Sequence, residues 1–309
     1  MYRVQVNLDT ESGVEARVER SHTEQLVYTS SEDGLLLEGV AFQAASPSSA
    51  RPSLVWIHGN GGRFYDYPYV AIGRGLAAMG WSFVSGNTRG HDISAFVWRA
   101  ADGKPAAWRT SADLPVGAGA GWEVLEEAPR DLAAWVDLAA ELGSGRVVLA
   151  GHSAGAQRVL LYQLDRLDPR VIGLVLASPD VRGFAPPGEL EVARRLVAEG
   201  KGMDVLPAQP WAPWYRQSAR TVAARADALS RLSGADDGQQ PGVARLAQPV
   251  LALAGAAEPG CEAILDGIRG QLSAARVETH VIAGADHAYS GQEAEVARLI
   301  ATWLERLAG

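Results

Sequence analysis

Arg146-Val147-Val148-Leu149-Ala150-Gly151-His152-Ser153-Ala154-Gly155 is the stretch on which the reading of this chain turns. The run from Arg146 to Ala150 is continuously apolar after its first residue, as expected for a strand covered on both faces. Ala154 to Leu167 then follows with helical periodicity. Ser153 therefore falls at a sharp strand-to-helix turn, with its hydroxyl projecting at the start of the helix. Gly151 and Gly155 are expected to supply close approach and unusual dihedrals there. Taken alone, Gly-x-Ser-x-Gly carries little weight in a chain with 34 glycines; its position between strand and helix gives it weight. The competing reading is an ordinary helix cap, a place serine fills well.

Working outward, similar apolar runs recur at Ser53 to Ile57, Trp81 to Ser85, Val171 to Ala177, Val250 to Ala254 and Val277 to Ile282. Helical segments separate them at Tyr69 to Met79, Glu123 to Leu142, Cys261 to Leu272 and Glu293 to Leu307. In the second of these, Leu125, Ala128, Leu132, Trp135, Val136 and Ala139 form one apolar stripe. The alternation predicts an α/β fold, with a mostly parallel, twisted, doubly wound sheet and helices on both faces. Ligands are expected beyond the carboxyl ends of the strands. Gln25 to Ser30 and Leu35 to Phe42, around the turn pair Asp33-Gly34, predict an antiparallel opening pair.

Two segments are too long for simple connections. Ile93 to Gly121 follows the strand at Trp81, and Val181 to Ala247 follows the sixth strand, Val171 to Ala177. Both leave strand ends where a ligand would sit, so they read as walls and a cap. The expected organisation is an N-terminal extension over 1–23, a core over 24–180 and 248–309, and a cap insertion over 181–247.

The chain has 309 residues, 47% hydrophobic and 21% charged, enough for a large core. A net charge of -8 without a basic block argues against a nucleic-acid surface. Cys261 is the only cysteine, so no disulfide within the chain is possible and a reducing cytoplasm is expected. No secretory signal and no membrane-spanning run is read from the sequence, and membrane residence is not expected.

A serine hydroxyl is a poor nucleophile until an imidazole takes its proton. His287, in Gly284-Ala285-Asp286-His287-Ala288-Tyr289, lies just past the last predicted strand and meets that need. A carboxylate between serine and histidine in chain order must hold the imidazole in one tautomer. Glu258, three residues past Gly255 at the end of the Val250 strand, is the leading candidate; Glu262 and Asp180 are alternatives. An oxyanion needs preorganised N–H donors. The N–H of Ala154 at the helix N-terminus is one. The glycine-rich turn His58-Gly59-Asn60-Gly61-Gly62 offers the other, from Asn60 or alternatively Gly61. That turn lacks the order and the Lys-Ser/Thr ending of a phosphate-binding loop.

His58-Gly59-Asn60-Gly61, Asn87-Thr88-Arg89-Gly90-His91, Gly151-His152-Ser153-Ala154-Gly155 and Asp286-His287 stand in one order. In that order they resemble the α/β-hydrolase superfamily, in its esterase, lipase and serine-aminopeptidase-like branch, from about Gln25 to Leu307. Glu258 departs from the aspartate commoner there. The resemblance implies an α/β-hydrolase fold and a serine hydrolase that cleaves a small-molecule carboxylic ester or thioester without metal or organic cofactor. Acyl transfer, lactone chemistry or ring closure by the same residues, and a non-catalytic binding protein, are the other readings. Trp211, Trp214, Tyr215 and Trp98, with Trp108 and Phe184, suggest an apolar or aromatic acyl pocket, against plain packing of the cap. Oligomeric state is not legible.

Overall fold

The structure is a computed structural model that describes residues 2–4, 22–45, 50–100, 113–179, 188–208, 215–234, 242–272 and 276–308. Its strands are β1 (Tyr2–Val4), β2 (His22–Ser30), β3 (Leu36–Ala44), β4 (Ser53–Ile57), β5 (Phe83–Gly86), β6 (Ala95–Arg99), β7 (Leu114–Ala118), β8 (Val147–His152), β9 (Val171–Ala177), β10 (Val250–Gly255) and β11 (Val277–Ile282). The helices are α1 (Tyr67–Ala78), α2 (Ala128–Leu142), α3 (Ala154–Arg166), α4 (Glu189–Ala198), α5 (Ala219–Ser233), α6 (Cys261–Gln271) and α7 (Glu293–Ala308).

Among the described residues, nine strands form one sheet in the order β1-β2-β3-β5-β4-β8-β9-β10-β11. The pairs from β5 through β11 are parallel, and β1, β2 and β3 join antiparallel at one edge. The mostly parallel sheet follows from the apolar runs. Every residue of β4, β5, β8 and β10 is buried, as strands covered on both faces must be. The turn between β2 and β3 has Gly34 at φ 83°, the left-handed geometry that glycine accepts without steric cost.

Two apolar layers sandwich the sheet. One holds α2, α3 and α6, and the other holds α1 and α7. The predicted α2 stripe is fully enclosed, and Trp135 lies so close to Gly86 and Gly39 that a side chain on either would collide with its ring. The helix itself starts at Ala128, because Leu125–Glu127 form a separate 3-10 turn.

Two differences from expectation stand out. Part of the segment from Ile93 to Gly121, expected as a connecting wall, folds as a β6–β7 antiparallel hairpin. Residues 2–4, within the stretch expected as an extension, pair with β2 as β1. Between β9 and β10, α4 and α5 pack on each other through Ala193, Leu206, Ala219, Val222 and Ala223. Farther along α5, Ala228 and Leu232 join the main core. Among the described residues, no helix is long and apolar enough to cross a membrane.

Candidate active site

Strand order reverses around β4, whose neighbours are β5 and β8, and the carboxyl ends of β4 and β8 meet there. Ser153 follows β8 and immediately precedes α3, with φ 53° and ψ −120°. The unusual dihedral expected of Gly151 and Gly155 thus falls on the serine. The glycines serve close approach alone, since a Cβ on Gly151 would strike the Gly155 backbone and one on Gly155 would strike the Ile57 carbonyl. Such a backbone conformation costs on the order of 1–3 kcal/mol and persists only when neighbours over-determine it. Here the Ser153 N–H donates to the Ala177 carbonyl at 2.8 Å, and the Ser153 carbonyl accepts from Ala156 at 3.0 Å. Ser153 is 8% exposed, and its hydroxyl makes no capping bond to α3, which removes the helix-cap reading.

The glycine-rich turn after β4 lies against this serine. A Cβ built on Gly59 would stand 3.2 Å from the Ser153 Cβ. Beneath the turn, the Arg158 guanidinium donates to the His58 carbonyl at 2.9 Å and grips Glu123 through two bonds of 2.7 Å. Burial alone would raise the Glu123 carboxyl, but the Arg158 charge and hydrogen bonds bring it below its ordinary value. Burial pushes His58 well down, with Arg158 adding to the effect, so this imidazole is neutral. The Asn60 side chain turns toward Tyr215 and α5, and its Oδ1 accepts from Tyr215 Oη at 3.1 Å and from Arg225 Nη2 of α5 at 2.9 Å. Among the described residues, the backbone N–H groups of Asn60 and Ala154 have no hydrogen-bond partner.

Glu258 and His287 come together from the ends of β10 and β11. Glu258 Oε2 accepts from His287 Nδ1 at 2.7 Å. Its other oxygen accepts from the Gly255 N–H at 2.6 Å and from the Ser178 hydroxyl. Burial alone would raise this carboxyl; the bonds from His287, Ser178 and Gly255 outweigh it and leave it below the usual carboxylate value. An ionised carboxylate only accepts, so His287 carries a proton on Nδ1. The loop is shaped by Asp286, whose Oδ1 accepts from the Ala288 and Ser290 N–H groups at 3.0 and 2.9 Å.

His152 ties these parts into one chain. The His287 carbonyl can only accept, so His152 Nε2–H donates to it at 2.7 Å. The His152 Nδ1 then accepts from Tyr69 Oη at 2.9 Å, and that hydroxyl accepts the Gly59 N–H at 3.2 Å. Burial, with His287 nearby, lowers His152 to about 4, which keeps the linking ring neutral.

The remaining expected residues separate clearly. Glu262 lies exposed in the first turn of α6, and Asp180 falls outside the described residues. Tyr215 is buried at the glycine-rich turn, while Trp98 is half-buried on β6 and no described contact joins it to Ser153. Trp108, Phe184, Trp211 and Trp214 fall outside the described residues. Sequence reading missed Tyr69, Ser178 and Arg225. Ser178 directly follows β9 at a strand end, and Arg225 is a charge on the buried stripe of α5, so both left a signal.

Among the solved structures that resemble the chain are three of differing origin. One is Est1E from Butyrivibrio proteoclasticus with ferulic acid bound, 19% identical with TM-score 0.62, covering 91% of this chain and 98% of that one. A second is the alpha/beta hydrolase GrgF from Penicillium sp. sh18, 16% identical with TM-score 0.65, covering 93% and 99%. The third is a soluble variant of monoglyceride lipase from Saccharomyces cerevisiae with a substrate analog, 13% identical with TM-score 0.61, covering 90% and 94%. At these identities the likeness is one of fold. A comparison with curated protein sequences returns no match. The sequence profile of the Alpha/beta hydrolase family matches residues 54–299, spanning the glycine-rich turn, Ser153, Glu258 and His287, and the chain belongs to that family.

Proposed function

We propose that this protein is a serine hydrolase that cleaves a carboxylic ester or thioester through an acyl-enzyme on Ser153. The observation that carries the reading is a buried serine held at φ 53° with its hydroxyl uncommitted to the helix it begins. In the first step His287 Nε2 takes the hydroxyl proton as Ser153 Oγ bonds to the carbonyl carbon. The electron pair moves onto the carbonyl oxygen, where the Asn60 and Ala154 N–H groups receive it. Collapse of the intermediate expels the alcohol or thiol, which takes the proton from His287. Water repeats the sequence, releases the acid and restores Ser153. Glu258 fixes the Nδ1–H tautomer and stabilises the imidazolium.

We read residues 24–180 and 248–309 as the catalytic core, 1–23 as an N-terminal extension and 181–247 as the cap. We read Trp98, Trp211, Trp214 and Tyr215 as substrate-binding residues. The single cysteine fits a reducing compartment, and we assign the protein to the cytoplasm.

A fluorophosphonate probe tests the reading. The folded protein is expected to be labelled stoichiometrically, with labelling abolished in Ser153→Ala; an unlabelled folded protein, or a labelled alanine variant, overturns it. Release of free acid without an added acceptor separates hydrolysis from acyl transfer.

A further inference from the structure

Arg225 lies on the buried stripe of α5 with Thr221, Val222, Ala228 and Leu232, and is only 6% exposed. Its one hydrogen bond among the described residues goes to a neutral acceptor, the Asn60 side-chain oxygen. Nε and Nη1 are both buried and, among the described residues, have no hydrogen-bond partner. No described carboxylate forms an ion pair with it, and nearby Glu123 has both oxygens engaged by Arg158. A buried cation without a counter-charge is expensive, and unmade charged hydrogen bonds add to that expense. A guanidinium cannot escape by losing its proton. This one reaches from the cap side to the turn that carries the proposed oxyanion donor.

We propose that Arg225 receives a carboxylate of the substrate, so the acyl part is that of a dicarboxylic half-ester or half-thioester. A carboxylate supplies both the missing charge and oxygen acceptors for the free N–H donors. Asn60 stands between the two ends of such an acyl group. Its backbone N–H meets the carbonyl under attack, and its side chain meets the guanidinium that holds the acid. The acid therefore sits only a few carbon–carbon bonds from the carbonyl. The turnover part of this inference rests on Ser153 as nucleophile; the binding part does not.

The test uses the monoethyl esters of succinate, glutarate and adipate, each against the same ester ending in a neutral carboxamide. For at least one chain length, kcat/KM is expected to favour the half-acid by tenfold or more. In Arg225→Met that ratio falls at least tenfold, and Arg225→Lys recovers part of it. A residue that only clamps the cap to Asn60 would lower both esters by one factor and leave the ratio alone, which overturns the proposal. Titration of Ser153→Ala, with and without Arg225→Met, uses the same ligands. It is expected to show half-acid binding at least tenfold tighter than the carboxamide, a preference lost in the double variant. Absent turnover with this binding preference intact would defeat the nucleophile reading alone. Equal binding of half-acid and carboxamide would defeat the role of Arg225 alone.

Discussion

The floor of the site and the segment above it are built on opposite terms. On the floor, Ser153 and His152 are buried, Glu258 is half-buried, and Glu258 alone accepts three hydrogen bonds. Above it, α4 and the start of α5 share a cluster of small side chains, and Arg225 buries two nitrogens without partners. The difference teaches where each task resides. The floor's described hydrogen bonds form without a ligand, so the proposed reacting groups would be held in place before substrate arrives. The upper segment is electrostatically incomplete, and what completes it selects the substrate.

That contrast can be broken most sharply at Glu258. Replacing it with glutamine keeps the shape but removes the charge and the fixed tautomer of His287. Turnover is expected to fall by about a thousandfold or more with folding retained. A change of less than tenfold in steady-state kinetics would show the floor to be less finished than described.

His152 comes next, through stability. Its folded value of about 4 lies below the ordinary 6.5, so the folded state binds fewer protons than the unfolded state between those two pH values. Stability from this ring is fully present above about pH 6.5 and is lost as pH falls toward 4. Thermal melts from pH 7 to 4 should lose about 3 kcal/mol less stability in His152→Gln than in the wild type. Parallel curves would show that the ring does not link the glycine-rich turn to His287 as a neutral group.

The smallest effect is expected above the floor. Tyr215→Phe removes a 3.1 Å bond to Asn60 and a 3.4 Å bond to the Ala120 carbonyl. It should cost about 1 kcal/mol in unfolding and raise KM more than it lowers kcat. A fall in kcat as large as that at Glu258 would erase the distinction between the two regions.

The same distinction governs what the sequence reveals. Core strands announce themselves because burial on both faces demands an unbroken apolar run, and β4 and β9 begin and end where those runs do. The candidate residues Ser153, Glu258 and His287 could be put forward from sequence because each falls shortly past the end of a predicted strand. Glu258 could be told from Glu262 only in three dimensions, where α6 begins at Cys261 and carries Glu262 away on its exposed turn. The β6–β7 hairpin stayed hidden since Pro115 and Gly117 weaken a strand pattern; an isolated bridge between Leu35 and Arg99 joins it to the residue before β3. The link between Asn60 and Arg225 spans 165 residues and leaves no local trace. Neither does the chain from Gly59 through Tyr69 and His152 to the His287 carbonyl, because each member is an ordinary residue until the fold assembles it.

The central claim is that Ser153 forms a covalent acyl intermediate, and peptide mapping after reaction with a slowly deacylating aryl carbamate tests it most directly. The account predicts one carbamoyl group per chain, carried by the tryptic fragment 147–158 and located on Ser153, with activity lost in proportion. A carbamoyl group on another residue accompanied by inactivation, or full inactivation with Ser153 unmodified, would contradict it.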